Sequence, residues 1–102
     1  MGTCSYILVG SEGSMRKSFG TTCHGAGRAK SRNEMRRKFK DYEAIKRDLN
    51  AKSIVLRASD DTRIPEEAPE AYKNVDAVVE TCEQADLSKR VMKVVPVCVI
   101  KG

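Results

Sequence analysis

The stretch FGTTCHGAGRAKSRNE, residues 19–34, contains the only histidine of the chain and determines how the neighbouring segments are interpreted. Its three glycines, at positions 20, 25 and 27, flank His24. They predict a loop, because glycine adopts positive φ and lets the backbone come close to a ligand. Ser31 and Glu34 then form an S-x-x-E capping box, so a helix is predicted to begin at Ser31.

The segments on either side of this loop show strand and helix patterns. TCSYILV, residues 3–9, is rich in β-branched and aromatic residues and predicts a strand. GSEGS interrupts it, and a short helix is predicted to run as far as Gly20. Downstream, residues 41–52 carry an apolar stripe at helical spacing, with Asp41 as the candidate cap. SIVLRAS, residues 53–59, predicts a second strand.

The last part of the chain adds a loop, a helix and a strand. DDTRIPEEAPEAYKN contains two prolines and predicts a loop with one turn of helix. Residues 74–87 repeat apolar positions at helical spacing behind Asn74, a candidate N-cap. RVMKVVPVCVIKG, residues 90–102, predicts one terminal strand in which Pro96 marks a bulge or an edge position. Because the strands and helices lack a regular βαβ order, we expect an α+β fold with a small mixed sheet and packed helices.

Length and composition indicate a single segment with one modest core. The 102 residues contain no apolar run long enough for a transmembrane helix. The amino terminus lacks the basic region of a secretory signal. We therefore expect an intracellular protein without a membrane partner. The cytoplasm is the expected location, and the nucleus is the alternative one.

The four cysteines form no C-x-x-C pair, so the sequence predicts no zinc site and no other metal site. Cys4, Cys82 and Cys98 are interpreted as reduced, partly buried thiols. Cys23 is a rival nucleophile because it precedes His24. Adjacent side chains rarely point at each other, however, and no second histidine could serve as its base. We therefore expect Cys23 to be mainly structural.

Positive charge is concentrated directly after the glycine loop. The net charge is +5, but residues 28–40 alone contribute +6. A patch of this sign attracts polyanions such as RNA. A solvated helix face is the other interpretation, and charge alone does not decide between them.

The glycine loop and its arginines favour phosphate chemistry. Backbone amides of such a turn can bind an anion, and Arg28 and Arg32 can grip phosphate oxygens with forked donors. The spacing differs from that of a P-loop. Within such a cradle His24 could donate a hydrogen bond, act as acid or base, or attack phosphorus, and nearby arginines favour the neutral, nucleophilic ring. A loop histidine hydrogen-bonded to a carbonyl is the alternative.

Four segments together resemble the C-terminal part of the RtcB family of tRNA-splicing RNA ligases. They are MGTCSYILVG, FGTTCHGAGRAKSR, EEAPEAYKNV and the ending VCVIKG. The CHGAGR motif with SR shortly after it is specific, and the resemblance spans essentially all 102 residues. The segments MGTCSY and VIKG resemble eukaryotic members of the family more closely than bacterial ones. The resemblance implies that this segment is the C-terminal portion of the larger RtcB fold.

The resemblance also implies an activity and its residues. RtcB ligases join an RNA 2′,3′-cyclic phosphate or 3′-phosphate end to a 5′-hydroxyl end, using GTP and Mn²⁺. The matching guanylylated histidine is His24, and Arg28 matches an arginine that grips phosphate. Ser5 and Tyr72 match positions that contact the guanine, and Lys101 matches another nucleotide contact.

Partners and metal ligands follow from the same resemblance. The RNA partners are tRNA exon halves, and an archease-type activator and other tRNA ligase complex subunits are further expected partners. The basic residues expected to bind RNA are Arg32, Arg36, Arg37, Lys38 and Lys40. The family's Mn²⁺ ligands lie upstream of the matching segment, so the isolated chain is expected to be inactive. Lys30 stands where relatives often have an apolar residue. The alternative function is a non-catalytic RNA-binding module built on residues 28–40.

Overall fold

A computed structural model describes all 102 residues of the chain. The backbone divides into two compact units, and each is described separately. The core unit comprises Met1–Thr3, Arg28–Tyr72 and Val95–Gly102. The glycine-loop unit comprises Cys4–Gly27 and Lys73–Val94. None of the helices is long and apolar enough to cross a membrane.

Short helices and strands of both units make up the regular structure. In chain order they are β1 (Ser5–Gly10), α1 (Glu12–Ser18), α2 (Arg32–Lys38), α3 (Tyr42–Ala51), β2 (Val55–Ala58), α4 (Val75–Gln84), β3 (Ser88–Val94) and β4 (Cys98–Lys101). Two 3₁₀ helices, Asp61–Glu67 and Pro69–Ala71, follow β2. The strands form two separate two-stranded sheets, one antiparallel and one parallel. This mixture of helices with small sheets confirms the α+β prediction.

The core unit is organised around the apolar stripe of α3. Ile45 and Leu49 lie one helical turn apart and are both buried. They cluster with Leu56 of β2, Ile64 of the first 3₁₀ helix and the fully buried Met35 of α2. Burying side chains of this size stabilises the fold by about 1.5–3 kcal/mol each. The stripe predicted from the sequence is therefore the centre of the main core.

The parallel pair of β2 and β4 directs the last lysine of the chain inward. The two strands are in register from Val55↔Cys98 to Ala58↔Lys101. Paired residues share a face of a sheet, and faces alternate along each strand. Leu56 is buried on the inner face, whereas Ile100 is exposed on the outer one. Lys101 therefore lies on the inner face instead of forming a frayed terminus.

The glycine-loop unit pairs β1 with β3 in an antiparallel ladder, with a register shift between Ile7 and Leu8. Helix α4 is tied to this ladder by charge. The Asp76 carboxylate accepts hydrogen bonds from the Tyr6 hydroxyl and, at 2.8 Å, from Lys93 Nζ. These bonds join β1 and β3 to the first turn of α4.

The helix starts predicted from local sequence are confirmed. The Ser31 hydroxyl accepts the Glu34 N–H at 3.1 Å, and α2 begins at the next residue. Asp41 caps α3, and its Oδ1 lies 3.0 Å from the Glu43 amide nitrogen. Asn74 caps α4 in the same way. Each cap satisfies amide groups that have no partner within the helix.

Two sequence predictions are wrong. The predicted terminal strand 90–102 is two strands, β3 and β4, which belong to different sheets. Pro96 lies in the break between them, because proline has a fixed φ and no N–H for a ladder. Cys98 is exposed, not partly buried, because it shares the outer face of β4 with Ile100. The remaining three thiols are half-buried, and all four are free.

Candidate active site

His24 is exposed, and its imidazole forms no hydrogen bond or ion pair within the chain. The loop that carries it is anchored on both sides. The Gly20 N–H donates to the Ser14 carbonyl at 2.9 Å, and the Gly27 carbonyl accepts the Lys73 N–H at 3.0 Å. Gly20 and Gly27 have φ values of +74° and +73°, which glycine adopts without strain. The loop therefore presents a free imidazole from a backbone held at its ends.

Cys23 has the thiol of Cys82 as a neighbour. Burial, together with the neighbouring Cys82 thiol, raises the pKa of the Cys23 thiol, so it is protonated at neutral pH. A protonated thiol is a poor nucleophile, which favours the structural interpretation of Cys23.

Ser5 also lies in the glycine-loop unit. It opens β1 opposite Val94, and it is exposed. Its hydroxyl forms no hydrogen bond within the chain, so it is free to contact a ligand. No hydrogen bond joins Ser5 to His24.

Arg28, Tyr72 and Lys101 all belong to the core unit. Arg28 and Tyr72 face each other in an isolated antiparallel bridge. The Arg28 guanidinium lies 5.0 Å from the centre of the Tyr72 ring, and its Nη1 donates to the Tyr72 hydroxyl at 3.2 Å. Its other nitrogens donate to backbone carbonyls, at 2.6 Å to Glu66 and at 3.1 Å to Lys30. The forked group expected to grip phosphate is thus already engaged within the chain.

Glu67 connects these residues, and sequence reasoning missed it. The Tyr72 hydroxyl donates to Glu67 Oε2 at 2.5 Å, and Lys101 Nζ donates to the same oxygen at 3.2 Å. Arg28 Nη1 lies 3.5 Å from Glu67 Oε1. The structure therefore brings together three of the residues that the sequence identified, around a carboxylate that it did not.

Burial and charge shift the pKa values of this cluster in opposite directions. Burial raises the pKa of the Glu67 carboxyl, but hydrogen bonds from Tyr72 and Lys101 outweigh burial and hold the pKa below its ordinary value. Burial and the Glu67 carboxylate raise the pKa of the Tyr72 hydroxyl. At neutral pH the cluster thus contains an anionic Glu67 and a protonated Tyr72.

The predicted RNA-binding residues divide into two groups. Arg32 and Arg36 pair with Glu66, whose side chain is only 3% exposed. The Arg32 Nε lies 3.3 Å from Glu66, and Arg63, which sequence reasoning missed, lies 3.6 Å from the same carboxylate. Hydrogen bonding from Arg36 and the charges of the other arginines hold the pKa of Glu66 below its ordinary value. This group of cations is partly neutralised.

The second group consists of cations on α2 and just after it that have no acidic partner in the chain. Arg37, Lys38 and Lys40 are exposed and form no ion pair. The Lys38 ammonium lies 5.0 Å from the centre of the Phe39 ring. Lys30, in contrast, pairs with Glu34 at 3.0 Å. The charge available to an external polyanion is therefore mainly that of the second group.

No three of the His, Cys, Asp and Glu side chains come together in an arrangement that could hold a metal ion. The carboxylates nearest Arg28, Tyr72 and Lys101 are those of Glu66 and Glu67, and both are occupied by arginine, lysine or tyrosine donors. The donor set of this chain does not fit Mn²⁺.

The chain matches the model of a known protein family along its whole length. That family is described as tRNA-splicing ligase RtcB, and the match covers residues 1–102. The glycine loop, the Glu67 cluster and the basic residues of α2 all lie within the matched region.

Proposed function

This chain belongs to the RtcB family of tRNA-splicing RNA ligases, and we propose that it is the nucleotide-transfer segment of such an enzyme. The complete ligase would join RNA 2′,3′-cyclic phosphate or 3′-phosphate ends to 5′-hydroxyl ends with GTP. His24 would be the residue that carries the guanylyl group.

The state of His24 gives the proposal its most direct support. The only imidazole of the chain is exposed, lies in a glycine loop and has no internal partner. A ring committed to a carbonyl would have to break that bond before attacking phosphorus. The thiol of Cys23, the rival nucleophile, has a raised pKa, chiefly because it is partly buried, so it is protonated at neutral pH.

A 2′,3′-cyclic phosphate end would first be opened by water to the 3′-phosphate, with the 2′-oxygen leaving as the hydroxyl. From the 3′-phosphate, the proposed chemistry proceeds in three displacements. A ring nitrogen of His24 attacks the α-phosphorus of GTP and forms a P–N bond, while the bond to the β-phosphate breaks. Pyrophosphate leaves with that electron pair, and the ring releases a proton to solvent. An oxygen of the RNA 3′-phosphate then attacks the same phosphorus and regenerates His24. Finally the RNA 5′-hydroxyl attacks the activated 3′-phosphate, expels GMP and gives up its proton.

The remaining residues bind and orient the nucleotide and the RNA. Tyr72 offers an aromatic face on which a purine can stack, and Lys101 offers an ammonium donor. Ser5 is an uncommitted hydroxyl for a further contact. The unpaired cations contact the RNA backbone, and these are Arg37, Lys38 and Lys40.

No three His, Cys, Asp or Glu side chains of this chain are grouped so that they could hold Mn²⁺. We propose that its ligands lie on residues outside this sequence, and no step above is assigned to it. An RNA-binding module without catalysis would need the cations but not His24, so a test at His24 separates the two functions.

Changing His24→Ala in the complete protein should abolish a covalent GMP adduct, because no other side chain of this segment presents a free ring nitrogen. Intact-protein mass spectrometry after incubation with GTP and Mn²⁺ measures the adduct. The wild type should gain one GMP that is lost in acid, as phosphoramidates are.

Cys23→Ala is the matched control, since it removes the adjacent side chain and the rival nucleophile. It should keep the adduct. An adduct that persists in His24→Ala, or that disappears only in Cys23→Ala, would contradict the proposal.

A further inference from the structure

Glu67 lies at the junction of three separate segments of the core unit. Its two carboxylate oxygens contact Arg28 from the start of the unit's long segment, Tyr72 from the end of that segment, and Lys101 from β4. The side chain is 22% exposed, so these contacts are partly shielded from water. Charge-assisted hydrogen bonds in such surroundings are stronger than neutral ones.

Tyr72 and Lys101 donate hydrogen bonds to this carboxylate, and the Arg28 guanidinium, which backbone carbonyls also hold, faces it at 3.5 Å. Arg28 and Lys101 are both cationic, and without an anion between them they would repel each other. Tyr72 donates its only hydroxyl proton to Glu67 while accepting from Arg28. Removing the carboxylate therefore leaves one unpaired phenol donor and two uncompensated cations.

A cavity lies beside this junction. Its volume is about 310 Å³, and Glu67, Lys101, Arg32 and Arg63 contribute to its lining. Ligand pockets begin at about 300 Å³. Glu67 thus borders a space of ligand size, but both of its oxygens are engaged by the protein.

We propose that Glu67 is a positioning residue for the nucleotide. It holds Tyr72, Lys101 and Arg28 in the arrangement that binds GTP, and it does so through its negative charge. This inference rests on the proposed function, because it takes these three residues to be nucleotide contacts. Glu67 acts through them and makes no contact with the nucleotide itself.

The test compares Glu67→Gln with Glu67→Asp and with the control Glu70→Gln in the complete protein. Glutamine keeps the shape but not the charge, aspartate keeps the charge, and Glu70 is exposed with no side-chain partner. Glu67→Gln should weaken equilibrium GTP binding about tenfold, the cost of losing a charge-assisted hydrogen bond. The single-turnover rate of guanylylation at saturating GTP should stay unchanged, since chemistry at His24 is untouched.

Glu67→Asp should bind GTP more tightly than Glu67→Gln, and Glu70→Gln should match the wild type. Equal GTP affinity in Glu67→Gln and the wild type would overturn the positioning role. If Glu67→Gln instead slowed guanylylation at saturating GTP while its GTP affinity stayed intact, the positioning role would also be overturned.

A second measurement needs no nucleotide. The ¹³Cζ shift of labelled tyrosine, assigned with Tyr72→Phe, reports ionisation of the Tyr72 hydroxyl. The charged groups that face this hydroxyl are Glu67 and Arg28. Removing the anion in Glu67→Gln should lower the pKa of Tyr72 relative to the wild type, because Arg28 stays and favours the phenolate.

The two measurements separate this inference from the proposed function. If the wild type binds no GTP, the proposed function fails, and the positioning role for a nucleotide fails with it. If the wild type binds GTP, but Glu67→Gln leaves both affinity and the pKa of Tyr72 unchanged, only the role of Glu67 is overturned. A shifted pKa of Tyr72 with unchanged GTP affinity also overturns the positioning role and leaves the proposed function standing.

Discussion

At the scale of single residues, the adjacent Glu66 and Glu67 pair with different arginines. Glu66 is buried and pairs with arginines of α2 and of its own 3₁₀ helix. Glu67 is partly exposed and contacts Arg28, Tyr72 and Lys101. A buried carboxylate is stable only when it is paired, so Glu66 is a structural anion.

Glu66→Gln should lower the free energy of unfolding of the chain by about 1–3 kcal/mol at pH 7, since it leaves hydrogen-bonded arginines without their anion. The folded pKa of Glu66 is depressed, chiefly by hydrogen bonding from Arg36. Its contribution is therefore complete above the unfolded pKa of about 4.3 and is lost as the pH falls through the lower folded value. Urea unfolding of the wild type and of Glu66→Gln at a series of pH values measures this loss of stability.

The gap between Glu66→Gln and the wild type should thus narrow as the pH falls below about 4.3. Glu70→Gln, at an exposed position, serves as the control and should follow the wild type at every pH. A gap of constant size down to low pH would show that Glu66 stabilises the chain by packing and not by charge.

At the scale of elements, α1 is held by a close approach to the turn after α4. The Ser11 hydroxyl donates to the Asp86 carbonyl at 2.6 Å, and Lys17 Nζ donates to the Ala85 carbonyl at 2.7 Å. Gly13 of α1 lies against the same turn, and a Cβ placed there would collide with the Asp86 backbone and carboxylate. The glycine permits the contact.

Gly13→Ala should therefore destabilise the protein by about 1–3 kcal/mol, the usual cost of overpacking. In an unconstrained helix the same change would stabilise by up to about 1 kcal/mol, so the sign itself is informative. Thermal unfolding of the wild type and of Gly13→Ala measures the change in stability. Gly10→Ala is the matched control, because nothing lies within 4 Å of a Cβ there, and it should be nearly neutral. A stabilised Gly13→Ala would refute the close approach.

Helix starts could be predicted from the sequence, but the pairing of the last strands could not. Helix starts at Ser31, Asp41 and Asn74 depend on groups two or three residues apart, so local patterns were sufficient. The break at Pro96 was missed because strand pairing is decided by distant partners. β3 pairs with β1 and β4 pairs with β2. Pro96 indicates an irregularity in the run, but no local pattern says that the two halves pair with different strands.

At the scale of the whole molecule, the candidate site was predictable only in part. His24 could be found because its signals are local: one imidazole, three glycines and nearby arginines. Tyr72 and Lys101 were identified only through the family resemblance. Glu67 was missed, because it meets Lys101 across 34 residues of sequence through a strand register that no local pattern encodes.

The 102-residue chain by itself lacks part of what the proposed reaction needs. It contains the positions that the resemblance matches to nucleotide contacts, yet no group of its side chains could hold a metal ion. A bound metal ion typically supplies several kcal/mol of transition-state stabilisation, on the order of a thousandfold in rate. We therefore expect the isolated chain neither to label itself with GTP nor to ligate RNA.

Incubation with α-labelled GTP and Mn²⁺ tests this, with the complete ligase as the positive control and its His24→Ala variant as the blank. The isolated chain should remain at the level of the blank at every Mn²⁺ concentration that leaves it soluble. Circular dichroism of the same sample would establish that the chain is folded, so that missing label reflects missing ligands and not missing structure. Acid-labile label on His24 at a rate near that of the complete ligase would show that this segment recruits its own metal, and the proposal that the ligands lie outside it would be wrong.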